Sequence, residues 1–154
     1  MQPDKKFLEV YVYLVEMSGG DPWGHVGLIL QQKDGTYIRY SQAAKNSNLH
    51  GYKILQYFVS MQPALVRRHL GKSVKGLSAG GKVIRIPTEH AEKIQKAVDK
   101  YIAYESHYNI VTNDCADFVN EVLSEAQDIH IVVCPLPKAY FKELERKYPD
   151  CVVK

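Results

Sequence analysis

The sequence predicts an α+β domain in which an antiparallel sheet packs against a helix that begins at a cysteine. Residues 7–41 contain β-branched and aromatic runs, two of them flanking a hairpin turn. Three later segments show helical spacing of their apolar residues instead. With 154 residues, of which 45% are hydrophobic, the chain fits one domain spanning residues 1–154.

The strands are expected mainly in the first third of the chain. Residues 7–15 form an apolar and aromatic run typical of a strand buried on both faces. Trp23–Leu30 and Thr36–Ser41 flank Lys33-Asp34-Gly35, which has the turn chemistry of a hairpin. Shorter strands are expected at residues 53–59, 82–86 and 129–133.

Helices are expected after Thr88, at Cys115 and over residues 138–148. The buried stripe of the first contains Ile94, Val98, Tyr101 and Ile102.

A fourth, shorter helix is predicted over Ala64–Leu70. Ser60 provides a cap and Pro63 stands in the first turn, where both residue types are favoured. The glycine-rich residues 71–81 that follow are typical of a binding loop or lid.

Cys115 is the candidate nucleophile. Phe118, Val119, Val122 and Leu123 give its helix one apolar stripe, and Asn113 or Asp114 is a good N-cap. The first-turn N–H groups and the positive end of the helix dipole stabilise a thiolate, which is the reactive form. The alternative is a buried, inert cysteine.

His25 is the candidate general base. Alternation places His25, Gly27 and Ile29 on one face of their strand, and Gly24 and Gly27 leave room for a close approach. An imidazole there takes the thiol proton and later returns it to the leaving group. The alternative is a structural histidine at a strand start.

A third residue usually orients such an imidazole by accepting its other N–H. Arg39 and Ser41 share the predicted His25 face, and only Ser41 can accept a hydrogen bond. Ser41 is therefore the candidate third residue, with Gln42 as its substitute.

Trp23-Gly24-His25-Val26-Gly27 and Asn113-Asp114-Cys115-Ala116-Asp117-Phe118-Val119 look like two family signatures. In these motifs and their order the chain resembles the circularly permuted branch of the NlpC-type papain-like superfamily, which includes relatives of lecithin:retinol acyltransferase. The resemblance implies a papain-like fold, Cys115 as nucleophile, His25 as base and the Cys115 N–H as an oxyanion donor.

Two features depart from that pattern. Acyltransferase-like members carry a second histidine where this chain has Arg39-Tyr40-Ser41, and many relatives have Asn directly before the cysteine, where Asp114 stands here. A carboxylate beside the thiol raises the thiol's pKa unless it faces away as a cap.

Three functions follow as expectations. The first is a cysteine amidase or endopeptidase acting through an acyl-enzyme on a cell-wall peptide (peptidoglycan) or another amide, with Trp23, Asn113 and Tyr108 as substrate-binding residues. The second is a thioester-forming lipid acyltransferase or hydrolase. The third is a catalytically inactive binding domain of the same fold.

Composition bounds the partners. A net charge of +3 with scattered basic residues does not predict a nucleic-acid surface. The three cysteines lack zinc-ligand spacing, so neither a metal nor a cofactor is expected, although a Cys134–Cys151 disulfide stays open. No signal peptide or membrane span is seen, which favours a cytoplasmic location or export by a non-classical route. A monomer is expected, with an inhibitor or immunity protein as an additional partner.

Overall fold

A computed structural model of the chain describes residues 8–15, 24–44, 62–103, 107–108, 115–127 and 137–153. The strands are β1 (Val10–Val15), β2 (His25–Gln31), β3 (Tyr37–Ala44), β4 (Gln62–Gly71), β5 (Lys82–Arg85), β6 (His107–Tyr108) and β7 (Val152–Val153). The helices are α1 (Val74–Leu77), α2 (Ala91–Ala103), α3 (Cys115–Gln127) and α4 (Pro137–Lys147), followed by a 3-10 turn at Pro149–Cys151. The α+β class is therefore confirmed.

The strands pair in the order β6-β4-β3-β2-β1-β5-β7, and each pairing is antiparallel. The predicted hairpin is present, with Leu28 of β2 opposite Tyr40 of β3. Strand β1 lies between β2 and β5, and it is buried on both faces as its apolar run predicts. The first of the described strands is thus an interior strand of the sheet, next to the central strand β2.

The two faces of this sheet have different contents. One face, called here the helix face, packs against α2, α3 and α4 through residues that include Val12, Leu28, Phe118, Ile94 and Phe141. The opposite face, called here the tyrosine face, carries a smaller cluster made of Tyr11, Tyr13, Ile29, Val83 and Leu77, the last from α1. Alternation along β1 and β2 sorts the side chains between the faces.

The prediction of a helix over Ala64–Leu70 is wrong, because these residues belong to β4. That strand pairs with β3 from Ala64 opposite Ala44 to Gly71 opposite Tyr37. Pairing along eight residues of β3 overrides the local cap signal, and Pro63 is accommodated as the second residue of the strand. Leu70, near the end of this strand, is 74% exposed.

Other boundaries shift by less. The loop predicted at residues 71–81 contains α1, and the helix expected from Thr88 begins at Ala91. Ile102 was expected in the buried stripe of that helix but is 41% exposed. The strands expected at residues 53–59 and 129–133 lie outside the described residues. None of the described helices combines the length and hydropathy that a membrane-spanning segment needs.

Candidate active site

His25 is the first residue of β2, as expected, and the path of the chain into this strand depends on Gly24, the residue before it. Gly24 has a φ of 68°, a left-handed conformation that glycine adopts without steric cost. A Cβ at Gly24 would lie 3.0 Å from a methyl carbon of Leu14 and 3.3 Å from the carbonyl oxygen of Val15. Glycine at this position is therefore required by both conformation and space.

Tyr13 is the neighbour of His25 that the sequence did not single out. The two rings pack with their centroids 6.3 Å apart and their planes tilted by 60°. Tyr13 stands opposite Gly27 in the β1–β2 pairing, and a Cβ at Gly27 would lie 2.5 Å from its ring and hydroxyl. The missing side chain of Gly27 is thus the space that the phenol ring occupies.

The Tyr13 hydroxyl reaches β3, where a hydrogen bond joins it to the hydroxyl of Ser41. Ser41 is buried, and it lies on the tyrosine face together with Arg39 as strand alternation predicts. Arg39 Nη1 donates to the carbonyl of Leu77 at 3.0 Å, which attaches α1 to this face. Its Nε is buried without a hydrogen-bond partner in the part of the chain that the structure describes.

The electrostatics of Tyr13 connect this face to the cysteine. The pKa of Tyr13 is raised to about 12, chiefly by burial and to a smaller extent by the negative charge of an ionised Cys115. The Arg39 charge and the Ser41 hydrogen bond act in the opposite direction and lower the pKa. Tyr13 therefore contacts residues of β2 and β3, and its pKa is sensitive to the charge at the start of α3.

Cys115 is the first residue of α3, as the cap and stripe pattern predicts, and it is a thiol. It is only 1% exposed and belongs to the apolar cluster of the helix face with Ala116 and Phe118. Strand alternation directs His25 to the tyrosine face. The two residues are therefore assigned to opposite faces of the sheet, and a contact between them has to pass around the His25 end of β2.

Gln42, the substitute for Ser41, is on the wrong face for that role. It alternates to the helix face, where the Tyr101 hydroxyl of α2 donates to its Oε1 at 2.6 Å. Trp23, Asn113 and Cys134 lie outside the described residues, as does the side chain of Tyr108, whose backbone forms part of β6.

Sequence reasoning missed Tyr13 because its position depends on strand register. Gly27 indicated an open space on the His25 face, but only the β1–β2 pairing identifies which side chain fills that space. Residues 16–23 join these strands, and a connection of this length does not fix their register. No local pattern therefore distinguishes Tyr13 from Tyr11.

Within the described ranges, no three His, Cys, Asp or Glu side chains converge as a metal site. Comparison with protein-family models, with curated proteins and with solved structures gives no match to this chain.

Proposed function

We propose that this chain is a cysteine hydrolase of the permuted papain-like type, in which Cys115 is the nucleophile and His25 the general base. The observation that carries the proposal is the position of Tyr13, whose ring packs beside that of His25 and whose hydroxyl bonds Ser41. An ionised Cys115, 90 positions from His25 in the sequence, also raises the pKa of this tyrosine. Their placement at the starts of α3 and β2 agrees with the motif order.

The proposed reaction is amide hydrolysis in two stages. His25 takes the thiol proton, and the sulfur of Cys115 attacks the amide carbonyl carbon to form a C–S bond. The backbone N–H of Cys115 donates to the oxyanion. As the C–N bond breaks, His25 returns the proton to the leaving amine. Water, deprotonated by His25, then attacks the thioester and releases the acid and the thiol.

Ser41 and Tyr13 would act together beside this pair. A hydroxyl has one donor and two acceptor positions, so Ser41 can bond to Tyr13 and still accept an N–H from the imidazole. Because Ser41 is buried, that acceptor position is shielded from competing water. In this arrangement Ser41 positions His25, and Tyr13 fixes the rotamer of Ser41.

The proposed substrate is a peptide or another amide, with cell-wall peptides as the first class to test. Acyltransferase-like relatives carry a second histidine on the return strand, where this chain has Arg39-Tyr40-Ser41, and the Ser41 hydroxyl is bonded to a phenol. A neutral hydroxyl cannot act as a second base, which favours hydrolysis of amides over lipid acyl transfer.

A second candidate function is a binding domain that does no chemistry. The burial of Cys115 favours it, since a nucleophilic sulfur must meet its substrate and only 1% of this residue is exposed. The packing of α3 on the helix face, away from the strand face of His25, favours it too. The two functions differ in the reactivity of one thiol.

The test is alkylation of Cys115 by iodoacetamide at a series of pH values, with each cysteine followed by peptide mass spectrometry. In the hydrolase, Cys115 reacts well below a pH of about 8.5, the ordinary pKa of a thiol, and His25→Ala abolishes that low-pH reactivity. Cys151 is the internal reference thiol, and His69→Ala, at an exposed position of β4, is the matched control.

The results separate the functions directly. If Cys115 in the folded protein reacts no faster than Cys151 at any pH and His25→Ala changes nothing, the chain is not a hydrolase of this type. If the pair is reactive, incubation with purified peptidoglycan and then with a lipid thioester distinguishes amide cleavage from acyl transfer.

A further inference from the structure

Charged residues are unevenly distributed along this sequence. Residues 35–88 contain nine Lys or Arg residues and no Asp or Glu, whereas the whole chain has 20 Lys or Arg and 17 Asp or Glu residues. Within the described structure, this stretch contains β3, β4, α1 and β5. These elements therefore carry ionised side chains of one sign, and their field attracts anionic partners.

Strand β4 brings part of this basic stretch to an edge of the sheet. On one side β4 pairs with β3 as far as Gly71, whereas on the other side β6 pairs with it only at Gln62 and Pro63. Among the described residues, no strand pairs with residues 67–71 on that outer side. The residues Arg67–Leu70 are exposed. Residues 67–71 are called here the open edge.

The open edge lacks most of the features that stop an edge strand from pairing with another chain. Such features are a proline, a bulge, a short strand or charged side chains. The β3–β4 register runs one to one without a bulge, and no proline stands in the open edge. Its length is about 16 Å, at roughly 3.3 Å per residue, whereas β7 at the opposite edge has two residues. Charge therefore decides which strand can pair here.

The charges of the open edge lie on both faces of the sheet. Arg67 stands opposite Ser41 and therefore on the tyrosine face, and Arg68 alternates to the helix face. A strand paired here would have a guanidinium as a cross-strand neighbour on each face, at the short range where opposite charges stabilise a pair and like charges destabilise it. A second copy of this edge would bring guanidinium groups opposite one another, whereas an acidic strand would complement them.

We propose that the open edge binds an extended acidic segment of a partner protein, which adds a strand to the sheet beside β4. Main-chain hydrogen bonds supply the affinity in this mode of binding. Carboxylates of the segment that face Arg67 and Arg68 supply the selectivity. A lipid surface or a nucleic acid meets the charges but has no peptide backbone to pair with a strand. The proposal is independent of the proposed hydrolase, because neither arginine belongs to the catalytic set.

The test uses the full chain and a fluorescent peptide with the sequence Val-Glu-Glu-Val-Glu-Glu-Val, whose binding is followed by anisotropy. A counterpart with Lys in place of each Glu is expected to bind about tenfold more weakly or worse, because like charges would face each other. A third peptide keeps every carboxylate but is N-methylated at its internal amides, which removes the backbone donors. It is also expected to bind about tenfold more weakly than the parent peptide.

Two results of these titrations would refute strand addition. One is that the parent peptide does not bind. The other is that the N-methylated peptide binds equally well, because the edge would then attract anions of any class, including lipid surfaces and nucleic acids.

Two charge reversals locate the site. Arg67→Glu and Arg68→Glu are each expected to weaken binding of the acidic peptide about tenfold and to strengthen binding of the Lys peptide. Lys93→Glu, at an exposed position of α2, makes the same charge change elsewhere and is the matched control. Circular dichroism checks the fold of each variant, and Arg68→Gln, which only removes the charge, replaces a reversal that does not fold. Unchanged binding in both reversals would overturn the assignment.

Hydrogen exchange and sedimentation identify the occupant. The acidic peptide is expected to slow exchange at residues 67–71 and to leave exchange in β7 unchanged. Protection that avoids residues 67–71 would contradict the proposal. So would self-association of the chain that Arg68→Glu abolishes, because the occupant would then be a second copy.

Discussion

The two faces of the sheet are built from the same strands but have different physical roles. The helix face is covered by three helices, and its cluster is almost entirely aliphatic and aromatic. Among the described residues, α1 is the helix that covers the tyrosine face, which carries the phenols of Tyr11 and Tyr13, the guanidinium of Arg39 and the hydroxyl of Ser41.

The difference shows how alternation along one strand directs core-forming side chains to one face and polar, site-forming side chains to the other. Leu14 and Tyr13 are adjacent in β1, yet Leu14 packs against helices while Tyr13 contacts His25 and Ser41. A side chain on the helix face contributes to stability mainly by burying apolar area. A polar side chain on the tyrosine face contributes mainly through the hydrogen bond that it makes to a buried polar group. The same substitution is therefore expected to act differently on the two faces.

The largest expected effect is on the helix face. Phe118 is fully buried in α3, and its ring packs edge to face on Tyr101 at a centroid distance of 5.0 Å. Phe118→Ala is expected to cost roughly 3–5 kcal/mol in the free energy of unfolding, because a cavity replaces the ring. Urea denaturation measures this, with Leu70→Ala, an exposed position, as a control expected to change stability by about 0.5 kcal/mol or less. Equal costs would contradict the assignment of the core.

The next effect is pH-dependent and belongs to Tyr13. Burial raises its pKa to about 12 from an ordinary 10, so the folded chain holds this proton more tightly than the unfolded chain. The resulting contribution, roughly 2–3 kcal/mol, is fully present below pH 10 and is lost as the pH rises through 12. Urea midpoints across this window measure it, and Tyr13→Phe is expected to flatten the decline. An unchanged slope in the variant would contradict the shift.

A smaller effect comes from filling the space under Tyr13. In Gly27→Ala, the added methyl lies 2.5 Å from the Tyr13 ring, so the phenol must move at a cost of about 1–3 kcal/mol. Gly35→Ala is the matched control, because its Cβ meets nothing within 4 Å although its φ of 89° strains alanine. Near-ultraviolet circular dichroism distinguishes the two, since only Gly27→Ala is expected to change the tyrosine signal. Identical spectra would show that Tyr13 does not fill this space.

The sequence predicted the individual helices and strands of both faces better than the pairing and register of the strands. The start of α3 at Cys115 and the hairpin between β2 and β3 follow from local cap, stripe and turn signals. The strand identity of residues 64–70 depends on pairing with β3, and the role of Tyr13 depends on the register of β1 against β2. No short window of residues determines such long-range pairings.

The smallest effect tests the comparison most directly, because one substitution is made on each face. Tyr13→Phe removes the hydroxyl that bonds Ser41 and is expected to destabilise by about 1 kcal/mol at neutral pH. Tyr140→Phe on the helix face removes a hydroxyl that is buried without a hydrogen-bond partner in the described part of the chain. Its loss is expected to be neutral or to stabilise by about 1 kcal/mol, since no bond is broken and a desolvated polar group disappears.

Urea denaturation of both variants at neutral pH gives the two signs side by side. Because the chemical change is the same, differences in side-chain size and in the unfolded state cancel to a first approximation. Opposite signs would establish that the Tyr13 hydroxyl is satisfied and that the Tyr140 hydroxyl is not. If Tyr140→Phe destabilises as much as Tyr13→Phe, the Tyr140 hydroxyl has a partner of its own, and the contrast between these two hydroxyls fails.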